Sequence, residues 1–341
     1  MRAVMMYGPG DVRIDDVAEP TLTRPTDAII RVTDTCICGS DLWPYRGFNR
    51  ITEPARMGHE YLGVVEQIGD AVTDLAEGDH VVGSFVASDN TCEICQAGYQ
   101  SRCRHQVMMG GIGTQAEKAL IPWAAGTLVK IPAERTAAQN ASLLAASDVL
   151  GTGWFAAVAA EAGPGKTVAV VGDGAVGVLG VLAAKELGAD RIIAMSRHAD
   201  RQALARRFGA TDIVEERGAD GVARIKEMTG GYGAHSVIEA VGTDEAMQQA
   251  IDSTRPGGHV GFVGVSHGVT LDGGKLFGAT VHLHGGPAPV RRFLPQLIEL
   301  IMSDQIDPGV VFDLTLPIER AAESYLAMDE RTATKVRLTF D

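Results

Sequence analysis

The chain has 341 residues, which is more than one hydrophobic core usually serves, so we expect two domains. Its formal net charge of −13 excludes the basic surface that a nucleic-acid partner requires. No run reaches the roughly eighteen apolar residues of a membrane helix, and residues 1–10 are too soon interrupted by Gly and Pro for a signal peptide. Three of the five cysteines share one short run, a pattern that favours metal ligation in a reducing compartment over disulfides. We therefore expect a cytoplasmic protein that binds neither membrane nor nucleic acid.

The first 150 residues contain short β-like runs that are separated by Gly, Pro and Asp. The predicted strands cover residues 28–32, 63–68, 80–83 and 128–131. No helical period persists there, so this part of the chain is predicted to form a β-rich, barrel-like domain.

After Gly151 the pattern changes to short apolar strands that alternate with helices. The predicted strands cover residues 167–171, 191–195, 211–214, 236–239 and 259–263, and the first two helices cover residues 175–187 and about 199–208. This alternation indicates a doubly wound parallel sheet that is covered on both faces. Beyond it we predict helices at 293–302 and about 318–328, and a strand at 335–340 that is a candidate to rejoin the first domain.

A glycine-rich turn follows the first strand of the parallel sheet, where residues 172–177 read Gly-Asp-Gly-Ala-Val-Gly. Gly172 permits the tight turn, Gly174 lets the backbone approach a pyrophosphate, and Gly177 lets the helix pack on the strand. Phosphates then lie on the helix N-terminus, where free N–H groups favour anions. The alternative is a tight βα turn without a ligand, but the strand-loop-helix context favours a dinucleotide site.

The end of the second strand predicts which dinucleotide binds. An NAD site places Asp or Glu there, about 20 residues after the glycines, to bind the ribose 2′-OH. This chain has Ser196 and Arg197 at that point, so a guanidinium is available for a 2′-phosphate. We infer NADP(H), with His198 and Arg201 as lesser candidates for the same contact. The alternative is that Arg197 is a solvated charge and that the missing acid only relaxes selectivity.

Three separate segments supply a thiolate, an imidazole and a carboxylate that suit a zinc ion. They are Cys38 in Cys-Gly-Ser-Asp, His59 in Gly-His-Glu, and Asp148 in Ser-Asp-Val-Leu-Gly. Three protein ligands leave one coordination position for a substrate oxygen, which separates a catalytic zinc from a structural one. Taken alone, Asp148 would instead be interpreted as a helix cap or loop residue.

Together these motifs resemble those of the zinc-dependent medium-chain alcohol dehydrogenases, in particular a bacterial NADP-dependent type, along the whole chain. The segments that carry the resemblance are residues 38–41, residues 58–60 with Gly63 and Gly69, Asp148 before residues 151–153, residues 172–177, and residues 239–242. The resemblance implies an α/β fold in which a GroES-like catalytic domain, residues 1–150 and 286–341, surrounds a Rossmann dinucleotide-binding domain, residues 151–285. It also implies a homodimer or homotetramer.

The resemblance assigns roles to single residues of this chain. Cys38, His59 and Asp148 match the catalytic zinc ligands, and Glu60 matches a carboxylate behind the metal, although an ordinary ion pair with Arg or Lys is an equal alternative. Asp41 matches the acid that orients His59, and Ser40 matches the hydroxyl that relays the substrate proton. Trp43 replaces a His that usually passes this proton on, so the relay must end differently. Cofactor contacts are implied for Gly172, Gly174, Ala175, Val176, Gly177, Ser196, Arg197 and Val241.

A second metal site is implied by Asp89, Cys92, Cys95 and Cys103. Relatives with a structural zinc carry four cysteines at this spacing, and here Asp89 takes the first position. A carboxylate is an acceptable zinc ligand, so we expect a structural Cys₃Asp site. The alternative is a lobe without metal. The pair His282 and His284 lacks a third ligand nearby and is interpreted as packing or surface.

These observations predict an NADP(H)-dependent zinc enzyme that interconverts an alcohol with an aldehyde or ketone, an oxidoreductase acting on CH–OH donors. A polyol or amino-alcohol dehydrogenase is the closest rival, although such relatives commonly carry a Glu third ligand and an NAD-selecting acid. Outside this class, a non-catalytic NADPH-binding sensor would require loss of Ser40 or of a zinc ligand. A module in which the region 92–103 binds a partner while catalysis is vestigial is the third alternative.

Overall fold

The computed structural model describes residues 1–49 and 51–340; Arg50 and Asp341, which fall inside the predicted domain ranges, lie outside the described residues. The chain forms two compact units. The first comprises Met1–Asp148 together with the chain from Pro289 onward, and the second comprises Val149–Ala288.

The first 148 residues are dominated by strands. Strands β1–β10 are Arg2–Gly8, Asp11–Asp16, Ala28–Cys36, Ala55–Arg56, Tyr61–Ile68, His80–Gly83, Val86–Ala87, Val107–Met108, Lys118–Ile121 and Leu128–Lys130. Helices α1–α4 are Leu42–Tyr45, Glu93–Gln96, Ala124–Thr127 and Ala137–Ala146, and a 3-10 turn covers Gly39–Asp41. The four predicted strands are thus confirmed, with small differences at their ends.

The second unit is a parallel sheet with helices between its strands. Helices α5–α10 are Val149–Ala159, Ala175–Glu186, Ala199–Arg207, Gly218–Met228, Asp244–Ser253 and Gly273–Ala279. Strands β11–β16 are Thr167–Val171, Arg191–Met195, Asp212–Val214, Ala234–Glu239, Thr254–Phe262 and His282–Gly285. Their order in the sheet is β13-β12-β11-β14-β15-β16, and every neighbouring pair is parallel. The strands carry apolar side chains on both faces because helices cover both faces, so the doubly wound fold is confirmed.

The chain from Pro289 onward adds helix α11 (Val290–Met302), strand β17 (Leu314–Pro317), helix α12 (Ala321–Asp329) and strand β18 (Val336–Thr339). Strand β18 pairs antiparallel with β3, with Leu338 opposite Thr35, and parallel with β17. The main sheet of this unit therefore runs in the order β10-β6-β5-β3-β18-β17, with β9 also paired to β3. The expectation that the last strand rejoins the first domain is confirmed.

The first 150 residues also contain a helix, α4, that the absence of a helical period did not indicate. Helix α4 has ten residues and begins at a capping box, in which the Thr136 hydroxyl accepts from the Gln139 N–H and the Gln139 side chain accepts from the Thr136 N–H. Its C-terminal half is entirely buried, so its apolar side chains show no helical period. Within the described ranges no single helix is long and apolar enough to cross a membrane, although α4 and α5 pass that test as a bent pair by length and composition.

Candidate active site

Strand pairing brings Cys38 and His59 together. Strands β3 and β5 are antiparallel neighbours, with Thr35 opposite Tyr61, so the residue that follows β3 lies beside the residues that precede β5. Asp148 lies just beyond α4, and its side chain is buried against the same two residues.

The ligand atoms of Cys38, His59 and Asp148 have the spacing of a zinc site. Asp148 Oδ2 lies 3.6 Å from Cys38 Sγ and 3.3 Å from His59 Nε2. A tetrahedral zinc with ordinary bond lengths would separate sulfur from oxygen by about 3.6 Å and nitrogen from oxygen by about 3.4 Å. These atoms and a carboxylate oxygen of Glu60 all lie within 4.8 Å of one another. The donor set and its geometry therefore fit zinc.

Asp41 lies behind His59, as the resemblance implies. Its Oδ1 is 3.5 Å from Nδ1 of His59, and its Oδ2 accepts from the Cys38 backbone N–H at 3.0 Å. Burial lowers the pKa of His59, but the negative charges of Asp41 and Cys38 outweigh that effect, so this pKa lies well above its usual value. Asp41 thus leaves Nε2 as the ring nitrogen that faces the other ligands.

Two residues that the sequence did not indicate support Asp41. Gln115 donates from Nε2 to Asp41 Oδ2 at 3.2 Å and to the Cys36 carbonyl at 3.1 Å. Its Oε1 accepts from the Tyr325 hydroxyl at 3.0 Å, and all of these groups are buried. A chain of hydrogen bonds thus runs from Tyr325 through Gln115 to Asp41.

Glu60 forms the buried ion pair that was one of the two roles weighed for it, and its carboxylate also lies in the ligand cluster. Its Oε1 accepts from Lys335 Nζ at 2.7 Å, and both side chains are fully buried. Its Oε2 is a buried oxygen for which the described residues supply no hydrogen-bond partner, and this carboxylate belongs to the ligand cluster. Burial raises the pKa of Glu60, while the Lys335 ammonium acts in the opposite direction. A cation beside Cys38 and His59 would satisfy the remaining oxygen.

Ser40 and Trp43 lie in the segment that follows Cys38. Ser40 is half-buried in the 3-10 turn Gly39–Asp41, between a zinc-ligand candidate and the acid that orients His59. Trp43 is half-buried in α1 and packs edge-on against Phe48, with ring centroids 5.1 Å apart. The aromatics of α5, Trp154 and Phe155, are both buried.

Asp89 and three cysteines form a second cluster with metal-ligand spacing. Cys92 Sγ lies 3.5 Å from Cys95 Sγ and 3.9 Å from Cys103 Sγ, and Cys95 Sγ lies 3.5 Å from Asp89 Oδ1. Sulfurs on a tetrahedral zinc are about 3.8 Å apart. Hydrogen bonds from backbone N–H groups lower the pKa of Cys92 to about 7, which favours the thiolate that a metal requires. The Cys₃Asp set therefore fits a zinc ion.

His105 holds the carboxylate of this second cluster. Its Nδ1 lies 2.6 Å from Asp89 Oδ2, while Asp89 Oδ1 accepts from the Thr91 N–H at 2.9 Å. Burial raises the pKa of Asp89, but these hydrogen bonds outweigh it and hold that pKa well below its usual value.

The glycine-rich turn has the geometry that its sequence predicts. Gly172 has φ +117°, which L side chains rarely adopt, and a Cβ on Gly177 would lie 2.0 Å from the Gly172 carbonyl oxygen. A Cβ on Gly174 would meet no described atom within 4 Å, so space is open at the N-cap of α6. That open space adjoins the Ala175 and Val176 N–H groups of the first helical turn, where a pyrophosphate would lie.

At the end of β12, Ser196 is buried and Arg197 is exposed. At the end of β14, Val241 donates its N–H to Glu239 Oε1 at 2.8 Å, and Gly242 makes the same contact at 2.8 Å. A Cβ on Gly172 would lie 2.9 Å from Val241 Cγ2. The predicted cofactor contacts thus come from neighbouring strand ends of one sheet.

The paired histidines of β16 take part in ring contacts. His282 stacks on His259, with ring centroids 4.3 Å apart, and His284 packs edge-on against Phe155 at 5.6 Å. The pair was interpreted as packing or surface, and both descriptions apply, because the two histidines are exposed and also make ring contacts.

Comparison with known proteins assigns the family. Residues 24–133 match the alcohol dehydrogenase GroES-like domain, and residues 175–301 match the zinc-binding dehydrogenase family. The chain is 36% identical to a probable zinc-binding alcohol dehydrogenase of Mycobacterium tuberculosis, over 99% of this chain and 88% of the relative. It is 33% identical to zinc-type alcohol dehydrogenase B of Aspergillus flavus, over 98% of this chain and 80% of the relative.

A solved structure supports the same assignment. The alcohol dehydrogenase TADH from Thermus sp. ATN1 is 31% identical to this chain, with a TM-score of 0.91 over the full length of both chains. The fold, the motifs and the cluster of ligand atoms all agree with this likeness. The chain belongs to the zinc-dependent medium-chain alcohol dehydrogenases.

Proposed function

We propose that this chain interconverts an alcohol with an aldehyde or ketone by transferring a hydride to or from NADP(H). The observation that carries the proposal is the cluster of Cys38, His59 and Asp148, whose ligand atoms have tetrahedral zinc spacing. Three ligands leave a coordination position for the substrate oxygen, which is the feature that distinguishes catalytic from structural zinc. Zinc bound there would act as a Lewis acid on that oxygen, favouring the alkoxide in one direction and polarising the carbonyl in the other.

The residues around the cluster hold it in one arrangement and supply the proton path. Asp41, fixed by Gln115, keeps the His59 ring turned so that Nε2 faces Cys38 and Asp148. The half-buried Ser40 hydroxyl, two residues after Cys38, would accept the proton of an alcohol and return it to an alkoxide. Trp43 stands where relatives continue this relay with His, so we infer that the proton leaves through water or a ribose hydroxyl of the cofactor.

A non-catalytic NADPH-binding sensor is the rival that this geometry disfavours. A sensor does not need a thiolate, an imidazole and a carboxylate at the spacing of zinc ligands. Keeping such groups together away from solvent is costly unless they bind a metal. The discriminating experiment is an NADPH-oxidation screen over aldehydes and ketones with metal analysis of the same preparation. Turnover that disappears with the zinc supports the enzyme, whereas stoichiometric zinc and bound NADPH without turnover of any carbonyl would support the sensor.

We expect NADPH to bind this chain at least about tenfold more tightly than NADH, a difference of roughly 1.4 kcal/mol. The exposed Arg197 at the end of β12 offers a planar guanidinium that suits a 2′-phosphate. Fluorescence titration of both reduced cofactors gives the two dissociation constants. Equal constants would contradict the NADP(H) assignment while leaving the zinc chemistry intact.

We also expect two zinc ions in each chain, one for each cluster. Cys95→Ser should lower the zinc content to one ion and lower the melting temperature by several degrees, because the Cys₃Asp site links two short helical segments of its lobe. Activity should persist, since this cluster is separate from Cys38 and His59. Cys38→Ser is the reciprocal control, which should lose the other ion and the activity. A wild-type content of one ion, unchanged in Cys95→Ser, would show that the lobe contains no metal.

A further inference from the structure

An ion pair with little solvent exposure lies beside the end of β12, where the proposed function places the ribose of the cofactor. Strands β11 and β12 are parallel neighbours with Val171 opposite Met195, so the glycine turn and Ser196 leave the sheet side by side. The Ser196 hydroxyl donates to Asp173 Oδ2 at 2.8 Å, and Arg201 Nη1 lies 3.3 Å from Asp173 Oδ1. The Arg201 and Asp173 side chains are only 11% and 13% exposed.

This pair corrects the expectation that the ribose site lacks a carboxylate. In an NAD site the acid follows the second strand and binds the ribose 2′-OH. Ser196 holds that chain position here, and its hydroxyl is a single hydrogen bond away from Asp173. A carboxylate is therefore present at the same place, but it comes from the glycine turn of the first strand. The sequence alone did not indicate this carboxylate, because Asp173 lies 23 residues before Ser196.

We propose that the Asp173–Arg201 pair determines how strongly this site discriminates between NADP(H) and NAD(H). The inference rests on the proposed function only in placing a nicotinamide dinucleotide on the glycine turn. The Asp173 carboxylate accepts a ribose 2′-OH and repels a 2′-phosphate, whereas the Arg201 guanidinium offsets that repulsion. The selectivity then depends on the balance of two opposed charges that lie 3.3 Å apart, in addition to the exposed Arg197.

A purely structural role for the pair makes a different prediction. Arg201 lies in the first turn of α7, and its Nη1 also approaches the Asp173 carbonyl oxygen at 3.5 Å, so the pair ties the glycine turn to that helix. If this tie were its only role, weakening it would affect both cofactors equally, because both place the same pyrophosphate on the turn. A change in the ratio of the two dissociation constants separates the roles.

The test measures the binding of NADPH and NADH to the purified full chain and to two single variants. Asp173→Asn keeps the size and the accepting oxygen but removes the charge, and it should raise the Kd(NADH)/Kd(NADPH) ratio about tenfold. Arg201→Met removes the compensating charge but keeps an unbranched, flexible side chain, and it should lower the ratio about tenfold. The double variant should return towards the wild-type ratio, because the two substitutions shift the ratio in opposite directions and their effects offset each other.

The fragments 2′,5′-ADP and 5′-ADP provide a second measurement that does not involve the nicotinamide, and their affinity ratio should shift in the same directions. Asp212→Asn is the control, because it breaks another Arg–Asp pair, in which Arg191 lies 2.8 Å from Asp212. This pair is at the N-terminal ends of β12 and β13, whereas the proposed ribose site is at the C-terminal end of β12. Asp212→Asn should leave both ratios unchanged.

Ratios in Asp173→Asn and Arg201→Met that stay within twofold of the wild type, while both affinities fall together, would overturn the proposal in favour of the structural role. A wild-type chain that prefers NADH would contradict the proposed NADP(H) preference. The tenfold shift in Asp173→Asn would nevertheless support the inference in that case, so the two failures are distinguishable.

Discussion

Asp148→Ala should lose the catalytic zinc ion and lower kcat by about a thousandfold or more, which corresponds to roughly 4 kcal/mol of transition-state stabilisation. Asp148 Oδ2 is the oxygen whose distances to Cys38 Sγ and His59 Nε2 match those between ligands of one tetrahedral zinc. Its removal leaves two ligands and Glu60, whose Oε1 is engaged by Lys335. Metal analysis and carbonyl reduction on the same preparation give both results.

Stability measurements distinguish a ligand from a helix cap at this position. A cap residue stabilises its helix by about 1 kcal/mol whether or not metal is present. A ligand stabilises the folded chain mainly through the metal that it binds. Asp148→Ala should therefore cost more stability in the zinc-loaded protein than after chelation, whereas the loss of a cap would cost the same in both states.

Asp27→Ala is the matched control for the loss of a buried aspartate. Asp27 is 1% exposed, accepts from the Thr23 hydroxyl at 2.7 Å and lies outside both metal clusters. We expect it to lower stability but to leave the zinc content and kcat unchanged. An Asp148→Ala protein with its full zinc content would remove Asp148 from the ligand set.

Local sequence predicted the parallel sheet more accurately than the first unit. The strands Thr167–Val171 and Arg191–Met195 were predicted to the residue, because each is a buried apolar run with a clear boundary at both ends. Helix α4 was missed because its Ala-rich sequence lacks an amphipathic period, although the capping box of Thr136 and Gln139 was visible in the sequence. Buried helices are therefore better recognised by their caps than by their periodicity.

The candidate site was predictable where single motifs or a family resemblance name the residues, as for Cys38, His59 and Asp148. The contacts of Gln115 with Asp41 and of Lys335 with Glu60 were not predictable, since they join residues 74 and 275 positions apart. Such pairs depend on which strands become neighbours. Strand β18, which follows Lys335, finds β3 only in the folded chain.

Lys335→Met should lower the free energy of unfolding by about 3–5 kcal/mol, because it leaves the Glu60 carboxylate buried without its partner. Lys335 Nζ donates to Glu60 Oε1 at 2.7 Å and to the Ile37 carbonyl at 3.0 Å, and its side chain is 1% exposed. Burial lowers the pKa of Lys335, but interactions with Cys36 and Glu60 outweigh it and raise this pKa, so the ammonium persists. Denaturant unfolding of the zinc-loaded chain measures the loss.

Two further variants identify the cause of this loss. Lys118→Met removes a lysine that binds Glu19 at 3.0 Å and Glu66 at 3.1 Å near the surface, and it should cost no more than about 1 kcal/mol. Adding Glu60→Gln to Lys335→Met should restore part of the lost stability, since a neutral amide is less costly to bury than an unpaired carboxylate. If the double variant were less stable than Lys335→Met by the full cost of Glu60→Gln alone, the two residues would act independently. In that case the main contribution of Lys335 would be its contact with the Ile37 carbonyl. If Lys335 instead acts by pairing with Glu60, then Glu60→Gln should cost less in the Lys335→Met background than in the wild type.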